Sequence, residues 1–496
     1  MGVAVVGEPV RFGTGPGRWV LLAAVLGSGM VFLDGTVVNV ALPRLGDDLG
    51  ADFAGLQWVV NGYLLTLAAF VLLGGALGDR LGRRRIFVLG LAWFTAASLL
   101  CGLAPTTPVL VGARLAQGVG GALLTPASLA MLQTSFHPDD RARAIGAWSA
   151  LAGVTTAVGP VLGGWLVEAA TWRWVFLLNL PLAAVGALVA LRHVPESVDP
   201  TVEGRLDVGG ATLGATGLAA LSFGLIEGAW AIGLAGLAGL VVFVGYERRA
   251  RHPMLPLGIF ASRQFSAANA VTLAVYAGLG VVLFMFSLVL QGALGYRPLE
   301  AGLATLPITL VMLAFSSRAG ALAQRIGPRL PMTVGPLLLG AGLVLMVRVG
   351  PGTDYVASVL PAVLVMAAGL ALTVAPLTAT VLAAADVRHA GVASGVNNAV
   401  ARAGGLLAVA AVPLVAGFDP SRMVPPAELV EGFHRAMVVA AGLTAGAGAL
   451  AWTTISPDVL AEAEVPAGEA ALDRRRPCLH CGASAPPQRV HARPGA

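Results

Sequence analysis

Apolar residues gather along this chain in runs of about 20, the length an α-helix needs to cross the hydrocarbon core of a bilayer. The runs fall at 19–40, 56–77, 86–104, 108–134, 144–169, 174–194, 207–226, 230–247, 264–291, 302–323, 331–349, 354–384, 391–416 and 432–455. They predict fourteen transmembrane helices in an all-α integral membrane protein. Only Glu227-Gly228-Ala229-Trp230 separates the runs 207–226 and 230–247. Without that pair the count is twelve, and the two termini still share one side of the membrane.

Composition agrees with the pattern. Hydrophobic residues make up 57% of the 496 positions and charged residues 11%, against about 25% charged in soluble proteins. Glycine (65 residues) and alanine are spread along the apolar runs, as expected where helices pack in lipid through small residues. All 31 basic residues are arginine. Without a lysine the chain has no phosphate-binding P-loop and cannot itself be an ATP-driven motor. The formal charge of +5 is scattered over short loops rather than gathered in a patch, which excludes a nucleic-acid surface. An N-terminus in the cytoplasm puts roughly 18 arginines on that side before the tail and about 6 on the other, so both termini are expected in the cytoplasm. No basic stretch and cleavage site mark the first run as a removable leader, so it is read as a retained span.

Against this background Asp34 stands alone in the run Trp19 to Val40. An acid at such depth costs about 2.5–3.5 kcal/mol on insertion scales and by default marks an ion or substrate path. Arg114 begins about six residues inside the fourth run and Asp34 lies about as far from the same end of the first, so both sit about 9 Å below the membrane boundary. They can therefore meet, directly or through Gln117 and water. An arginine favours the charged form of a carboxylate and burial disfavours it, so a rearrangement that alters either would load or release a proton. A permanent ion pair joining two helices is the competing reading.

An internal repeat supports the count. Gly75-Ala76-Leu77-Gly78-Asp79-Arg80-Leu81-Gly82-Arg83-Arg84 aligns with Gly320-Ala321-Leu322-Ala323-Gln324-Arg325-Ile326-Gly327-Pro328-Arg329, at the ends of the second and tenth runs. With the seventh and eighth runs as an inserted hairpin, the tenth becomes the second helix of a second six-helix half. Two such halves around a midplane cavity are a common transporter plan.

In order along the chain, the loop Gly78-Asp79-Arg80-Leu81-Gly82-Arg83-Arg84-Arg85, the segment Arg114-Leu115-Ala116-Gln117-Gly118-Val119-Gly120-Gly121-Ala122 and the run Gly159-Pro160-Val161-Leu162-Gly163-Gly164 resemble the major facilitator superfamily. The first-run sequence Leu33-Asp34-Gly35-Thr36-Val37-Val38-Asn39-Val40-Ala41-Leu42-Pro43 and Trp172-Arg173-Trp174-Val175-Phe176 are similar to its fourteen-helix drug:proton antiporter branch. So are Phe286-Ser287-Leu288-Val289-Leu290-Gln291 and Pro298-Leu299-Glu300-Ala301-Gly302-Leu303. The resemblance implies a cytoplasmic tail (1–18), a six-helix bundle (19–194), a linker with inserted helices (195–263), a second bundle (264–455) and a cytoplasmic tail (456–496). It also implies a multi-pass protein of the bacterial cytoplasmic membrane, monomeric and without metal or other cofactor, that exports hydrophobic drugs or antibiotics in exchange for protons. A proton-coupled uptake carrier or facilitator is the alternative within transport, and a membrane enzyme or sensor the remote one.

The same resemblance assigns roles. Asp34 and Arg114 are expected to couple protons, and Gly78, Asp79, Arg80, Gly82, Arg83 and Arg84 to form the loop that steadies one conformation. Physically, Asp79 can meet the positive N-terminal end of a neighbouring helix while the arginines face anionic headgroups. Gly159, Pro160, Gly163 and Gly164 form the antiporter motif, a close-packed kinked stretch. Asn39, Gln117, Gln291, Asn397, Asn398 and Arg402 are the candidates for a substrate cavity, the asparagines equally fit for interhelical bonds and Arg402, the deepest charge of its half, for contact with an anionic substrate group, for balancing Asp34 or for bonding to backbone carbonyls.

The second half has no acid deep inside its spans, and Glu168 and Glu227 lie at span ends, where exposure is the simpler reading. A dicationic substrate is therefore not expected, and neutral, weakly basic or zwitterionic hydrophobic molecules suit an apolar cavity. Cys101 in an apolar run reads as packing. In the tail, Cys478 and Cys481 with His480 and His491 carry zinc-ligand types without the second well-spaced pair a structural site needs, so a disordered basic tail is expected there.

Overall fold

A computed structural model describes residues 4–5, 9–198, 206–385 and 390–464. Its principal helices are α1 (Gly15–Leu49), α2 (Phe53–Leu81), α3 (Arg83–Gly102), α4 (Thr107–Ser135), α5 (Pro138–Ala169), α6 (Trp174–His193), α7 (Val208–Ile226), α8 (Trp230–Glu247), α9 (Arg263–Gly292), α10 (Pro298–Ile326), α11 (Arg329–Arg348), α12 (Tyr355–Ala383), α13 (Ala390–Ala410) and α14 (Pro426–Thr454). All but α13 are long and apolar enough to cross a bilayer. Asn397, Asn398 and Arg402 lower the hydropathy of α13, which lies where the thirteenth span is expected and continues as Val412–Ala416. The count is compatible with fourteen spans.

Helices outrun the apolar runs that announced them. α1 starts at Gly15, where the Thr14 hydroxyl accepts the Gly17 N–H at 3.3 Å, and stops at Gly50, whose left-handed conformation (φ +60°) releases the chain. Near that end Asp48 accepts hydrogen bonds from Trp172 Nε1 (2.8 Å) and Arg173 Nη1 (2.7 Å). Hydropathy marks the part of a helix that lipid covers; the helix itself continues wherever its peptide groups and caps are satisfied.

α1 to α6 pack on one another through α2–α4, α3–α4, α1–α5 and α1–α6, and α9 to α14 through α11–α12, α11–α14, α9–α14, α9–α13 and α10–α12. α7 lies across α2 and α13, and so covers the seam between the two halves, while α8 packs on α7 and leaves Leu234, Leu237, Val241 and Val242 exposed.

The aligned repeat is visible as a repeated turn. Gly82 (φ +108°) joins α2 to α3 and Gly327 (φ +82°) joins α10 to α11, a backbone conformation that a residue with a Cβ rarely adopts. Each turn is covered by the segment that follows the last helix of its own half: Glu196 sits on Gly82 and Pro457 on Gly327. These turns and the first and last described segments lie on one face, called here the terminal face; the other is the distal face.

The halves are joined at the distal face. Gln57 Nε2 donates to the Val409 carbonyl, Gln291 Nε2 to Val40 O (2.9 Å), Phe53 N to Arg422 O (3.4 Å) and Ala54 N to Pro420 O (3.0 Å). Arg297 and the Leu299 N–H bond Glu168 at 3.0 and 3.3 Å. Phe53 meets Phe284 and Phe418 edge-on, with ring centroids 5.7 and 5.1 Å away, inside a hydrophobic cluster that runs across the seam. Among the described residues every hydrogen bond between the halves is of this distal set.

Candidate functional site

Asp34 is fully buried and Arg114 is 1% exposed. Arg114 Nη1 donates to Asp34 Oδ2 and, at 2.6 Å, to Gln117 Oε1. Gln117 Nε2 donates in turn to Asp34 Oδ1 and to Ser98 Oγ, both at 2.8 Å. The three-residue spacing of Arg114 and Gln117 puts both on one face of α4, which makes this shared grip possible. Arg114 Nε donates to the Val59 carbonyl at 2.9 Å, and its guanidinium lies 4.4 Å from the Tyr63 ring centroid and 5.6 Å from that of Phe176. Every charge at the site therefore has a partner.

Three further groups complete the shell. Asn179 Nδ2 reaches Ser98 Oγ at 3.3 Å and Asp34 Oδ1 at 3.5 Å. Tyr63 donates to the Val31 carbonyl at 3.0 Å, and the Cys101 thiol lies 3.6 Å from Gln117 Oε1. Ser98, Tyr63 and Asn179 were not singled out from sequence. A lone serine or asparagine in an apolar run has no signature separating it from an ordinary interhelical bond; only Asn179, at the point where α6 re-forms after Leu178, sits at an irregularity.

The cavity candidates divide. Gln117 belongs to the Asp34 cluster. Asn39 bonds back to its own helix at Gly35 O (3.3 Å), Gln291 belongs to the distal seam, and Asn397 bonds Asn269 Oδ1 (3.2 Å) and Thr272 Oγ1 (2.7 Å) on α9. These three are engaged in packing in this conformation. Asn398 and Arg402 are half-buried on α13 and make no hydrogen bond or ion pair among the described residues. The Arg402 guanidinium lies across the seam, 5.6 Å from the ring centroid of Phe32 on α1.

The α2–α3 turn departs from expectation. Asp79 does not meet a helix N-terminus; it accepts Arg83 Nε (2.9 Å) and Nη2 (2.7 Å), because the turn at Gly82 starts α3 so abruptly that the two side chains remain adjacent. Nor do all the arginines reach outward. Arg83 is buried, and Arg84 donates from Nη1 to Val194 O (3.0 Å) and from its backbone N–H to Glu196 Oε1 (3.1 Å). Glu196 Oε2 lies 3.7 Å from both Arg84 and Arg85, making it the unforeseen counter-charge of the cluster. Arg80 has no acidic partner among the described residues. Gly78 accepts the Gly82 N–H at 3.1 Å.

The glycine run of α5 works on two sides. A Cβ at Gly159 would strike Thr36, one at Gly163 would strike Val37, and one at Gly164 would strike the Pro298 carbonyl. Reciprocally, a Cβ at Gly302 would strike the Pro160 carbonyl. Thus α5 presses on α1 within its half and on α10 across the seam, at backbone contact. Glu168, one turn on, is exposed as expected at a span end, and in addition pairs with Arg297 and accepts the Leu299 N–H at the start of α10. Glu227 likewise accepts Trp58 Nε1 at 2.8 Å, tying α7 to α2. Both acids find neighbours because the halves and the hairpin converge at the distal face. Cys478 and Cys481 lie outside the described residues.

Residues 24–409 match the Major Facilitator Superfamily. The chain is 37% identical over 491 residues to a puromycin resistance protein of Streptomyces alboniger, covering 94% of this chain and 96% of that one. A multidrug resistance protein of Mycobacterium tuberculosis is 36% identical over 390 residues, covering 76% and 72% of the two chains. A tetracenomycin C resistance and export protein of Streptomyces glaucescens is 35% identical, covering 79% and 74%. Among solved structures, a bacterial homologue of the human lysosomal transporter Spinster, in an inward-facing and unoccupied conformation, matches with a TM-score of 0.64 at 19% identity, over 92% and 99% of the chains. A D-xylose-proton symporter matches with a TM-score of 0.63 at 15% identity, over 89% and 98%. The fold and these matches agree: the chain is a membrane transporter that belongs to the major facilitator superfamily.

Proposed function

We propose that this protein exports hydrophobic small molecules, antibiotics among them, in exchange for protons by alternating access. The observation that carries the proton half is the Asp34–Arg114–Gln117 cluster, a titratable acid sealed inside the first half with its counter-charge on a different helix. A proton reaches Asp34 when the α1–α4 contact loosens, and protonation frees Arg114 for its remaining partners, Val59 O and Gln117 Oε1. The resistance and export proteins to which the chain is similar support a drug as the counter-substrate. No metal or other cofactor enters this reading; the proton gradient supplies the energy.

The arginine bias assigns the terminal face to the cytoplasm. On that assignment the distal seam is the closed extracellular gate, and the conformation is inward-facing in a monomer of the bacterial cytoplasmic membrane. The close contacts of Gly164 with Pro298 and of Gly302 with Pro160 hold this gate shut against leak, as the antiporter motif requires. The Asp79–Arg83 pair and Glu196 steady the terminal face of the first half.

The decisive assay uses purified protein in liposomes with an imposed proton gradient of either sign and puromycin as the first substrate tried. Export reads as accumulation into inside-out vesicles when the lumen is acidic and as loss of that accumulation when the gradient is collapsed. Accumulation driven by a proton gradient of the opposite sense would replace export by uptake.

A further inference from the structure

Among the described residues Arg402 is a cation without an acid. Among the described residues no carboxylate lies within ion-pair distance of it, and it makes no hydrogen bond to protein. Asp34 is the acid most available to balance it by depth, yet both Asp34 oxygens are taken by Arg114 and Gln117. Among the described residues these deep charges therefore sum to one uncompensated positive charge: Asp34 cancels Arg114, and the half-buried Arg402 remains. An arginine at such depth costs about 2.5–3.5 kcal/mol or more, which a chain retains where the group lines a water-filled cavity and meets a ligand.

Its surroundings point to such a cavity. α1 is packed by α4, α5, α6 and α9, so the partial exposure of Phe32 and Gly35 is directed toward the space between the halves. A Cβ built on Gly35 would meet nothing within 4 Å. The guanidinium of Arg402 and the ring of Phe32, 5.6 Å apart, face this space from opposite halves, and Asn398 lies one turn before Arg402 on α13. A guanidinium binds carboxylates and related oxyanions in a fork of two hydrogen bonds and also stacks on aromatic rings, which lysine does not match.

We propose that Arg402 and Phe32 form the receptor for an amphiphilic aromatic anion, so that the exported molecules include arenes bearing a carboxylate or comparable oxyanion. This rests on the export reading above and narrows its substrate class. It also revises the expectation from sequence: a cavity of net positive charge selects against cationic amphiphiles. The oxyanion pairs with Arg402 while the arene lies against Phe32, and because the two residues belong to different halves, such a ligand bridges the seam.

The test uses the full chain in lipid nanodiscs with three probes of one arene: 1-pyrenebutyrate, its methyl ester and 1-pyrenebutylamine. Binding is read by fluorescence with empty nanodiscs subtracted. The wild type is expected to hold the carboxylate tightest and the amine weakest. Arg402→Gln should weaken the carboxylate roughly 10-fold or more, the loss of one charge-assisted contact, with the ester unchanged and Arg402→Lys in between. Equal weakening of acid and ester by Arg402→Gln would reduce the residue to packing and overturn the proposal, as would a wild type that binds the ester or amine better than the acid. Export of the same probes from vesicles separates the two readings. Gradient-driven export of the ester without preference for the acid overturns only the Arg402 assignment, whereas absence of gradient-driven export of any probe and of puromycin overturns both.

Discussion

Replacing Asp34 by asparagine removes one charge and keeps the shape. Arg114, 1% exposed, then holds a positive charge without its counter-ion. Deleting one partner of a buried pair costs about 3–5 kcal/mol. Arg114 keeps its bonds to Val59 O and Gln117 Oε1 and its place over Tyr63, so the low end, about 3 kcal/mol, is expected, a factor of roughly 150 in the folded-to-unfolded ratio. The variant should insert, behave as a monodisperse protein in detergent, melt earlier and show no proton-driven export. Asp34→Asn combined with Arg114→Gln removes both charges and should regain more than half of the lost stability while export stays absent. Stability recovers because no buried charge is left unpaired; export does not, because no group takes the proton. Thermal melts in detergent and transport in liposomes read the two effects separately. Gradient-driven export by Asp34→Asn at the wild-type rate would refute the coupling role, and purely additive losses in the double variant would refute the pair as a unit.

Further expectations follow from the seam and the terminal turn. Gly164→Val places a branched side chain against the Pro298 carbonyl, so α5 and α10 must part; proton leak through liposomes holding this variant should exceed that of the wild type, and an unchanged leak would detach the glycine run from sealing. Glu168→Gln removes a half-exposed ion pair worth at most about 1 kcal/mol, so thiol labelling of a cysteine placed at Val40, in a background lacking the three native cysteines, should rise by no more than about 5-fold. A rise of a hundredfold would show a larger role for this acid than its exposure allows. Glu196→Gln leaves Arg84 and Arg85 without their shared counter-charge and should lower the melting temperature by a few degrees with a lesser effect on export, to be read in the same melts and liposomes.

Much of the architecture was legible because lipid imposes a simple rule. A segment that crosses hydrocarbon must satisfy its peptide groups internally, so length and hydropathy identify spans even where helix ends are misjudged by several residues, as α1 shows. α13 is the instructive exception: the asparagines and arginine that lower its hydropathy are the residues that face other helices or the seam. The isolated charges were equally conspicuous, since a lone Asp34 and Arg114 at matched depth have few partners but each other. Where sequence reasoning failed, several neighbours were available. Asp79 chose Arg83 over a helix end, and Glu196, outside every apolar run, closed on the arginine cluster because α6 ends beside the Gly82 turn.

The sequence by itself determined what belongs in the membrane and which charges have no ordinary reason to be there, since transfer free energies are properties of local segments. Only the tertiary structure decided which of those charges are paired. Pairing depends on approaches of a few ångströms between residues eighty or more positions apart, set by backbone contact at glycines and by which face of the molecule is closed. That is why Asp34 emerged already neutralised by Arg114, and Arg402, its other candidate partner, was left facing the space between the halves.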